Sequence, residues 1–529
     1  MKRLPIGIQD YKYMVENDYL YIDKTRYLFE LIDGGKVYFM SRPRRFGKSL
    51  TISTLYYLFK GEKELFQDTW IYDKIDWEPH PVIKLSMSET ENYNEAVLRE
   101  SLYENLRDIF SYHGLEPDSR LLKIAFKRLI KKLYDQYGKR VVVLIDEYDK
   151  PILNHLHEPE KAEKIREILR SFYSTLKDSD PYLEFVMLTG ITKFTKTGVF
   201  STLNNLDDIS LWDKTASMLG YSEEELDTHF DAFLKTTQKM IGVSRSALFA
   251  KIRKYYNGFS FDGKSFVYNP FSILNFFKKN SFQNYWVESG SPSFIVEYAK
   301  HHDIRMDQII GEYIRENILT TYEIEAAPPV SFLIQAGYLT FKGHDEELGY
   351  LIDYPNKEVR DSFSELLLVS EFNLKDGVAN DIRINVIKAL KTRDFEKLYL
   401  QMKRTLSNIP YTLFEPKSEY ETENDFIARR EGFYHSIILT MLWAAGINVR
   451  AEELSNLGRS DLILEYEQDT YILELKKQPA QRSIKQIKEK NYAGKYTAPL
   501  FYVGVEIDDN KRNLGEYLIE QQENGKGEF

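Results

Sequence analysis

Between residues 36 and 59 the chain reads Lys-Val-Tyr-Phe-Met, then Ser-Arg-Pro-Arg-Arg-Phe-Gly-Lys-Ser-Leu from Ser41 to Leu50, then a stretch in which Ile52, Leu55, Tyr56 and Phe59 recur at i, i+3, i+4, i+7. The first piece is a short β-rich apolar run and the last has a helical period, so Gly47-Lys48-Ser49 opens a helix directly after a strand. A strand feeding a helix through such a loop aims free backbone N–H groups at an anion above the helix N-terminus. In that setting Lys48 can reach the β and γ phosphates of a nucleotide, and the Ser49 hydroxyl can ligate Mg²⁺. The match is incomplete: the loop pattern asks for Gly five positions before Gly47, where Arg42 stands, followed by Pro43, Arg44 and Arg45. A lone Gly-Lys-Ser arises often by chance, so on this stretch alone an ordinary helix start stays open.

A second element tips the balance. Val141 to Ile145 is an unbroken apolar, β-branched run ending in Asp146-Glu147, the pattern of a parallel strand buried on both faces. This is the form of a Walker B strand, with Asp146 in the Mg²⁺ shell and Glu147 orienting and deprotonating the attacking water. Two acids ending a strand in a solvated turn is the plainer account; its position downstream of Gly-Lys-Ser favours nucleotide binding. Pro81 to Met87 reads as a strand from which two amphipathic helical stretches, broken near Gly114 and Pro117, lead into the Asp146-Glu147 strand, and Leu183 to Thr189 reads as a further strand after it. Thr189-Gly190-Ile191-Thr192-Lys193 offers polar groups where a γ-phosphate sensor would sit, or is a plain strand exit. A strand between the two Walker elements, with Glu after Asp, is the arrangement of ATPases that carry their own catalytic glutamate. The expected fold is α/β: a P-loop doubly wound parallel sheet with its ligand at the strand C-termini.

Length and charge bound the rest. A chain of 529 residues predicts three or four domains. Its balance of 71 basic against 81 acidic side chains, −10 overall, means that any polyanion must meet a local patch. Cysteine is absent, no signal-like apolar segment opens the chain, and the longest apolar helix candidate, Ile437 to Val449, is too short to span a bilayer. The expected location is the cytoplasm, with no membrane partner. The segmentation we read is an ATPase core over 1–212, a helical lid over 213–300, a winged-helix-like module or α/β extension of the lid over 301–370, a helical connector over 371–412 and a final α/β domain over 413–529.

That final domain carries a second chemistry. Gly458-Arg459-Ser460-Asp461-Leu462-Ile463-Leu464-Glu465 and Tyr471-Ile472-Leu473-Glu474-Leu475-Lys476 read as hairpin partners. Period two puts Glu474 and Lys476 on one face, so Asp461 and Glu474 can share a divalent cation while Lys476 holds and polarises the attacking water. Plain hairpins also carry such residues. On the preceding helix Glu431 falls on the stripe of Tyr434 and Ile438, either as a further metal ligand or as a helix-start acid stabilised by the dipole. From Leu475 to Leu500, Lys476, Lys477, Arg482, Lys485, Lys488, Lys490 and Lys495 face Glu489 alone, 7 minus 1 or +6. With Tyr492 and Tyr496 to stack on bases, this suits nucleic acid; a solvated helix face is the alternative.

Taken together, Tyr21-Ile22-Asp23-Lys24-Thr25, Arg42 to Ser49, Leu144 to Asp149, Asp353 to Arg360, Gly458 to Asp461 and Glu474-Leu475-Lys476 resemble the AAA-ATPase-like proteins of gut and anaerobic bacteria that carry a C-terminal PD-(D/E)XK superfamily nuclease domain. The resemblance spans nearly the whole chain. It implies a restriction-endonuclease-like α/β fold for the C-terminal domain, ATP and Mg²⁺ as cofactors, Arg42 as normal in this group, and Gln486 as a further active-site residue. The expected function is an ATP-binding and hydrolysing protein coupled to a Mg²⁺-dependent nuclease, in defence or mobile-element biology. The expected partner is nucleic acid, DNA ahead of RNA, with a homo-oligomer also open. The alternative is a signalling or scaffold NTPase whose C-terminal domain binds nucleic acid without cutting it.

Overall fold

The structure is a computed structural model that describes residues 2–193, 199–200, 203–288, 306, 309–315, 329–370, 376–409, 423–455, 458–489, 496 and 499–522; side chains at 287–288, 370, 376–379, 423–431 and 452–460 are outside the description. Its contacts divide the chain into two compact units, Met1–Tyr298 with Gly311–Glu358, and Ala299–Ile310 with Val359–Phe529.

The first unit is built on five strands: β1 (Val37–Ser41), β2 (Val82–Ser86), β3 (Val141–Asp146), β4 (Leu183–Gly190) and β5 (Asp207–Asp208). They pair in parallel in the order β2-β3-β4-β1-β5. The apolar run of β3 is buried along its whole length, as a strand covered on both faces requires. β4 lies between β1 and β3, so the loop after β1 and the acids ending β3 open at the same sheet edge, one strand apart. Helices Lys48–Phe59, Glu95–Tyr112, Leu122–Tyr137 and Pro159–Asp178 cover the sheet. Beyond β5, helices over 223–279 share an aromatic core in which Phe230, Tyr256, Phe276 and Phe277 are buried. The segment after them supplies a three-stranded sheet, β6 (Tyr313–Ile314), β7 (Thr340–Asp345) and β8 (Gly349–Asp353), in the order β6-β8-β7.

The second unit holds a mixed sheet of β9 (Asn448–Ser455), β10 (Gly458–Tyr466), β11 (Asp469–Lys476), β12 (Leu500–Asp508) and β13 (Asn513–Gln521), in the order β13-β12-β11-β10-β9. β10 and β11 form the hairpin expected from the sequence, and β11 pairs in parallel with β12 across the Ala480–Glu489 helix. That helix packs close because residue 504 on β12 has no side chain: a Cβ there would lie 2.2 Å from the Ala480 carbonyl oxygen. Gly504→Val therefore pushes the helix off the sheet and costs about 1–3 kcal/mol, read as a lower urea midpoint for this unit, and it takes Gln486 away from the strand below. Among the described residues no helix is long and apolar enough to cross a membrane.

Candidate active sites

The loop after β1 is organised by its least expected residue. Arg42 is 1% exposed. Its guanidinium donates to the carbonyls of Ser41 (2.9 Å), Ser210 (2.6 Å) and Thr215 (3.2 Å) and stacks 4.0 Å from the Phe261 ring. The side chain that replaces the pattern's glycine thus points away from the phosphate cradle and ties the loop to the segment beyond β5. Gly47 does keep its glycine role: at φ +102° it caps the Lys48–Phe59 helix in the left-handed region. Lys48, buried, donates to the carbonyls of Arg42 (2.8 Å) and Pro43 (2.9 Å), and burial draws its pKa down against the pull of Asp146, Glu147 and Asp149. Gly47, Lys48 and Ser49 line a cavity of about 340 Å³ together with Glu147 and Asp149. Arg42→Gly, which restores the familiar pattern, leaves the Ser41 carbonyl and the buried carbonyls of Ser210 and Thr215 without their charged donor. It should destabilise the first unit by about 3 kcal/mol or more, read from chemical unfolding.

At the end of β3, Thr189 donates to Asp146 Oδ1 at 2.6 Å and the Glu147 N–H donates to the same oxygen at 3.1 Å. Oδ2 carries no hydrogen bond among the described residues, so the carboxylate is held with one oxygen to spare. Glu147 has a left-handed backbone, φ +52°, a conformation that non-glycine residues keep where the surroundings impose it, commonly at functional sites. Burial raises its pKa against the opposing charge of Lys48. Asp149, which sequence reasoning passed over, accepts from the Ile191 N–H (3.0 Å), the Thr192 N–H (2.7 Å) and the Thr192 hydroxyl (2.6 Å) through Oδ2, while buried Oδ1 has no partner. Thr189 and Thr192, read as sensor candidates, are thus spent on Asp146 and Asp149, and Lys193 pairs with Asp208.

The second site lies on the β10–β11 hairpin. The antiparallel register pairs Leu462 with Leu473, and Asp461 and Glu474 follow one residue further along on each strand. Asp461 Oδ2 accepts from the Leu475 N–H at 2.8 Å, and Oδ1 lies 3.1 Å from Lys476 Nζ. Glu474 is fully buried. Gln486 donates to its Oε1, and its Oε2 has no partner. Burial, then the Asp461 charge, push the Glu474 carboxyl up to about 7. Burial also disfavours ionisation of Asp461, yet His435, Lys476 and the Leu475 N–H outweigh it and hold the carboxyl below its ordinary value. His435 is the residue that sequence reasoning missed: its Nε2 lies 3.2 Å from Asp461 Oδ2. It stands one helical turn after Glu431 on the Glu423–Ala444 helix, so that i, i+4 spacing was the available signal. The Glu431 side chain lies outside the described residues.

Asp461 and Glu474 stand on paired strands, and among the described residues no group of three or more His, Cys, Asp or Glu side chains is arranged to hold a metal ion. That donor set suits Mg²⁺, which keeps several waters and takes one or two protein carboxylates; the unpartnered Glu474 oxygen fits a cation. The basic run that follows is less free than its sequence implies. Lys476 pairs with Asp461, Lys477 with Asp509, Lys485 with Glu489 and Lys488 with Glu520, so of its described cations only Arg482 lacks an acidic neighbour. Tyr496 packs against the core beneath the sheet, its ring 5.6 Å from the Arg450 guanidinium. Lys490, Tyr492 and Lys495 lie outside the described residues.

A doubly wound P-loop unit and a restriction-endonuclease-like mixed sheet bearing Asp, Glu-x-Lys define the class: an ATPase-like domain joined to a nuclease-like one. A family model described as "Predicted AAA-ATPase" matches residues 5–200, and one described as "PD-(D/E)XK nuclease superfamily" matches residues 429–517. The chain is also 35% identical over 531 residues to a protein of Azotobacter chroococcum mcd 1 described as "Uncharacterized protein in vnfD 5'region", covering 98% of this chain and 99% of the relative. The chain belongs to the AAA-ATPase-like proteins with a C-terminal PD-(D/E)XK superfamily nuclease domain.

Proposed function

We propose that the chain is a Mg²⁺-dependent nuclease whose cutting is controlled by ATP bound and hydrolysed in its first unit. The observation that carries the reading is Glu474, a fully buried carboxylate with one unpartnered oxygen, next to an Asp461 held by Lys476. A buried carboxylate left half-satisfied is costly in a merely structural hairpin and is explained by a cation. In this reading Asp461 and Glu474 hold Mg²⁺, Gln486 orients Glu474, and Lys476 positions the attacking water. Bound Mg²⁺ supplies Lewis-acid polarisation of the phosphodiester and a more acidic water.

In the first unit Lys48 would bind the β and γ phosphates of ATP, Ser49 and Asp146 would hold Mg²⁺, and Glu147 would take the proton of the attacking water. Beside the phosphate cavity a smaller apolar one, about 80 Å³ and lined by Tyr21, Ile22, Phe46, Leu219 and Pro270, suits the base. The nucleic acid we expect is DNA, and the setting, on the family resemblance, is defence or mobile-element biology in the bacterial cytoplasm. The test is incubation of the purified chain with single- and double-stranded DNA and RNA, in Mg²⁺ or EDTA, with and without ATP. Mg²⁺-dependent cleavage that disappears in Asp461→Asn is the expected result. Stoichiometric binding without cleavage would return the scaffold reading in its place.

A further inference from the structure

The phosphate cavity carries more positive charge than a lysine loop requires. Arg44, Arg45, Lys48 and Lys150 line it against Glu147 and Asp149, 4 minus 2 or +2, on a chain whose total is −10. None of the four cations has a carboxylate within ion-pair distance among the described residues. Arg45 is exposed and lies over the Phe271 ring at 4.9 Å. Arg44 and Lys150 are half-buried. Arg44 is fixed through its backbone, whose carbonyl accepts from the Trp286 indole at 3.1 Å. Lys150 begins the Lys150–Leu153 helix, with its N–H on the Glu147 carbonyl at 2.9 Å. Burial and then the Arg44 charge both draw the Lys150 pKa down, and Arg44 acts on Lys48 in the same direction. Like charges that outnumber the carboxylates of a cavity, with no close ion pair to any of them, are unfavourable by themselves and become favourable around a polyanion.

Resting on the ATP reading above, we infer that Arg44 and Lys150 complete the charge around the terminal phosphates of the nucleotide from within the same chain, so that turnover needs no arginine from a second copy. Arg44 takes the part that a finger supplied in trans plays elsewhere: it neutralises the charge that spreads over the transferred phosphoryl group as the bond to the leaving oxygen breaks. Its guanidinium suits that role because it stays charged and can grip two phosphate oxygens at once.

The test measures phosphate release from Mg²⁺·ATP, and binding of a fluorescent ADP, by the full chain over a wide range of protein concentration. Wild-type turnover per chain should be independent of concentration. Arg44→Ala should lose about a thousandfold in turnover while binding ADP within a few-fold of wild type, which also shows that it has folded. Arg44→Lys should recover part of the loss. Arg44→Ala turning over at the wild-type rate, or wild-type turnover per chain rising with concentration, overturns the inference and leaves the ATP reading standing. Arg44→Ala losing ADP binding along with turnover also overturns it, since the residue then serves binding alone. A wild-type chain that binds no nucleotide removes the ATP reading itself.

Discussion

Lys48→Ala is expected to abolish nucleotide binding, whereas Glu147→Gln should bind nucleotide as wild type does and lose roughly two to three orders of magnitude in hydrolysis. The two variants differ because the residues act at different stages. In the proposed reading Lys48 would present its charge to the phosphates from a loop tied down by Arg42, and among the described residues nothing else in that loop is both buried and cationic at the cavity wall. Glu147 sits where a water would be oriented, and its amide isostere keeps the shape but cannot take a proton. Equilibrium titration with a fluorescent ATP analogue, paired with phosphate release, separates the two effects. Unchanged turnover in both would remove the Walker assignment altogether.

The second large effect concerns the other unit. Lys476→Ala and Glu474→Gln should each reduce Mg²⁺-dependent cleavage by about 10³-fold, since removing the cation's support or the water's anchor costs several kcal/mol of transition-state stabilisation. ATP hydrolysis by both variants should stay near wild type, because metal-assisted phosphodiester hydrolysis uses no nucleotide in its chemistry. A gel assay on labelled nucleic acid beside a phosphate-release assay reads both numbers from one preparation. Cleavage by Glu474→Gln at the wild-type rate would exclude Glu474 from the metal site.

The strands and the elements carrying both sites were legible because their signals are local. The apolar run of β3, the helical period after Gly47 and the alternation of β10 and β11 each declare an element without reference to its neighbours. What the sequence left hidden is tertiary. Arg42 showed only that a glycine was missing; that its side chain turns away onto Ser210 and Thr215, some 170 residues on, belongs to the fold. β5, two residues long, has no run to detect. His435 stands four residues after Glu431 on one helix, but its partner Asp461 lies on a different element, so no local pattern marks the pairing. The basic stretch after Glu474 is discharged by Asp509 and Glu520, acids too distant in sequence for any window to pair with Lys477 and Lys488.

In the proposed function, nucleotide in the first unit governs cutting in the second. For ATP to do so it must bind the competent arrangement better than the incompetent one, and a hundredfold preference amounts to about 2.7 kcal/mol of bias. The most direct measurement is the Mg²⁺-dependent cleavage rate of wild type and Lys48→Ala, each with and without ATP. ATP is expected to change the wild-type rate, and Lys48→Ala, its nuclease-domain residues untouched, is expected to cleave at an altered rate that no longer responds to ATP. Cleavage by Lys48→Ala at the wild-type rate, with the wild-type dependence on ATP, would contradict that reading and make the two units independent.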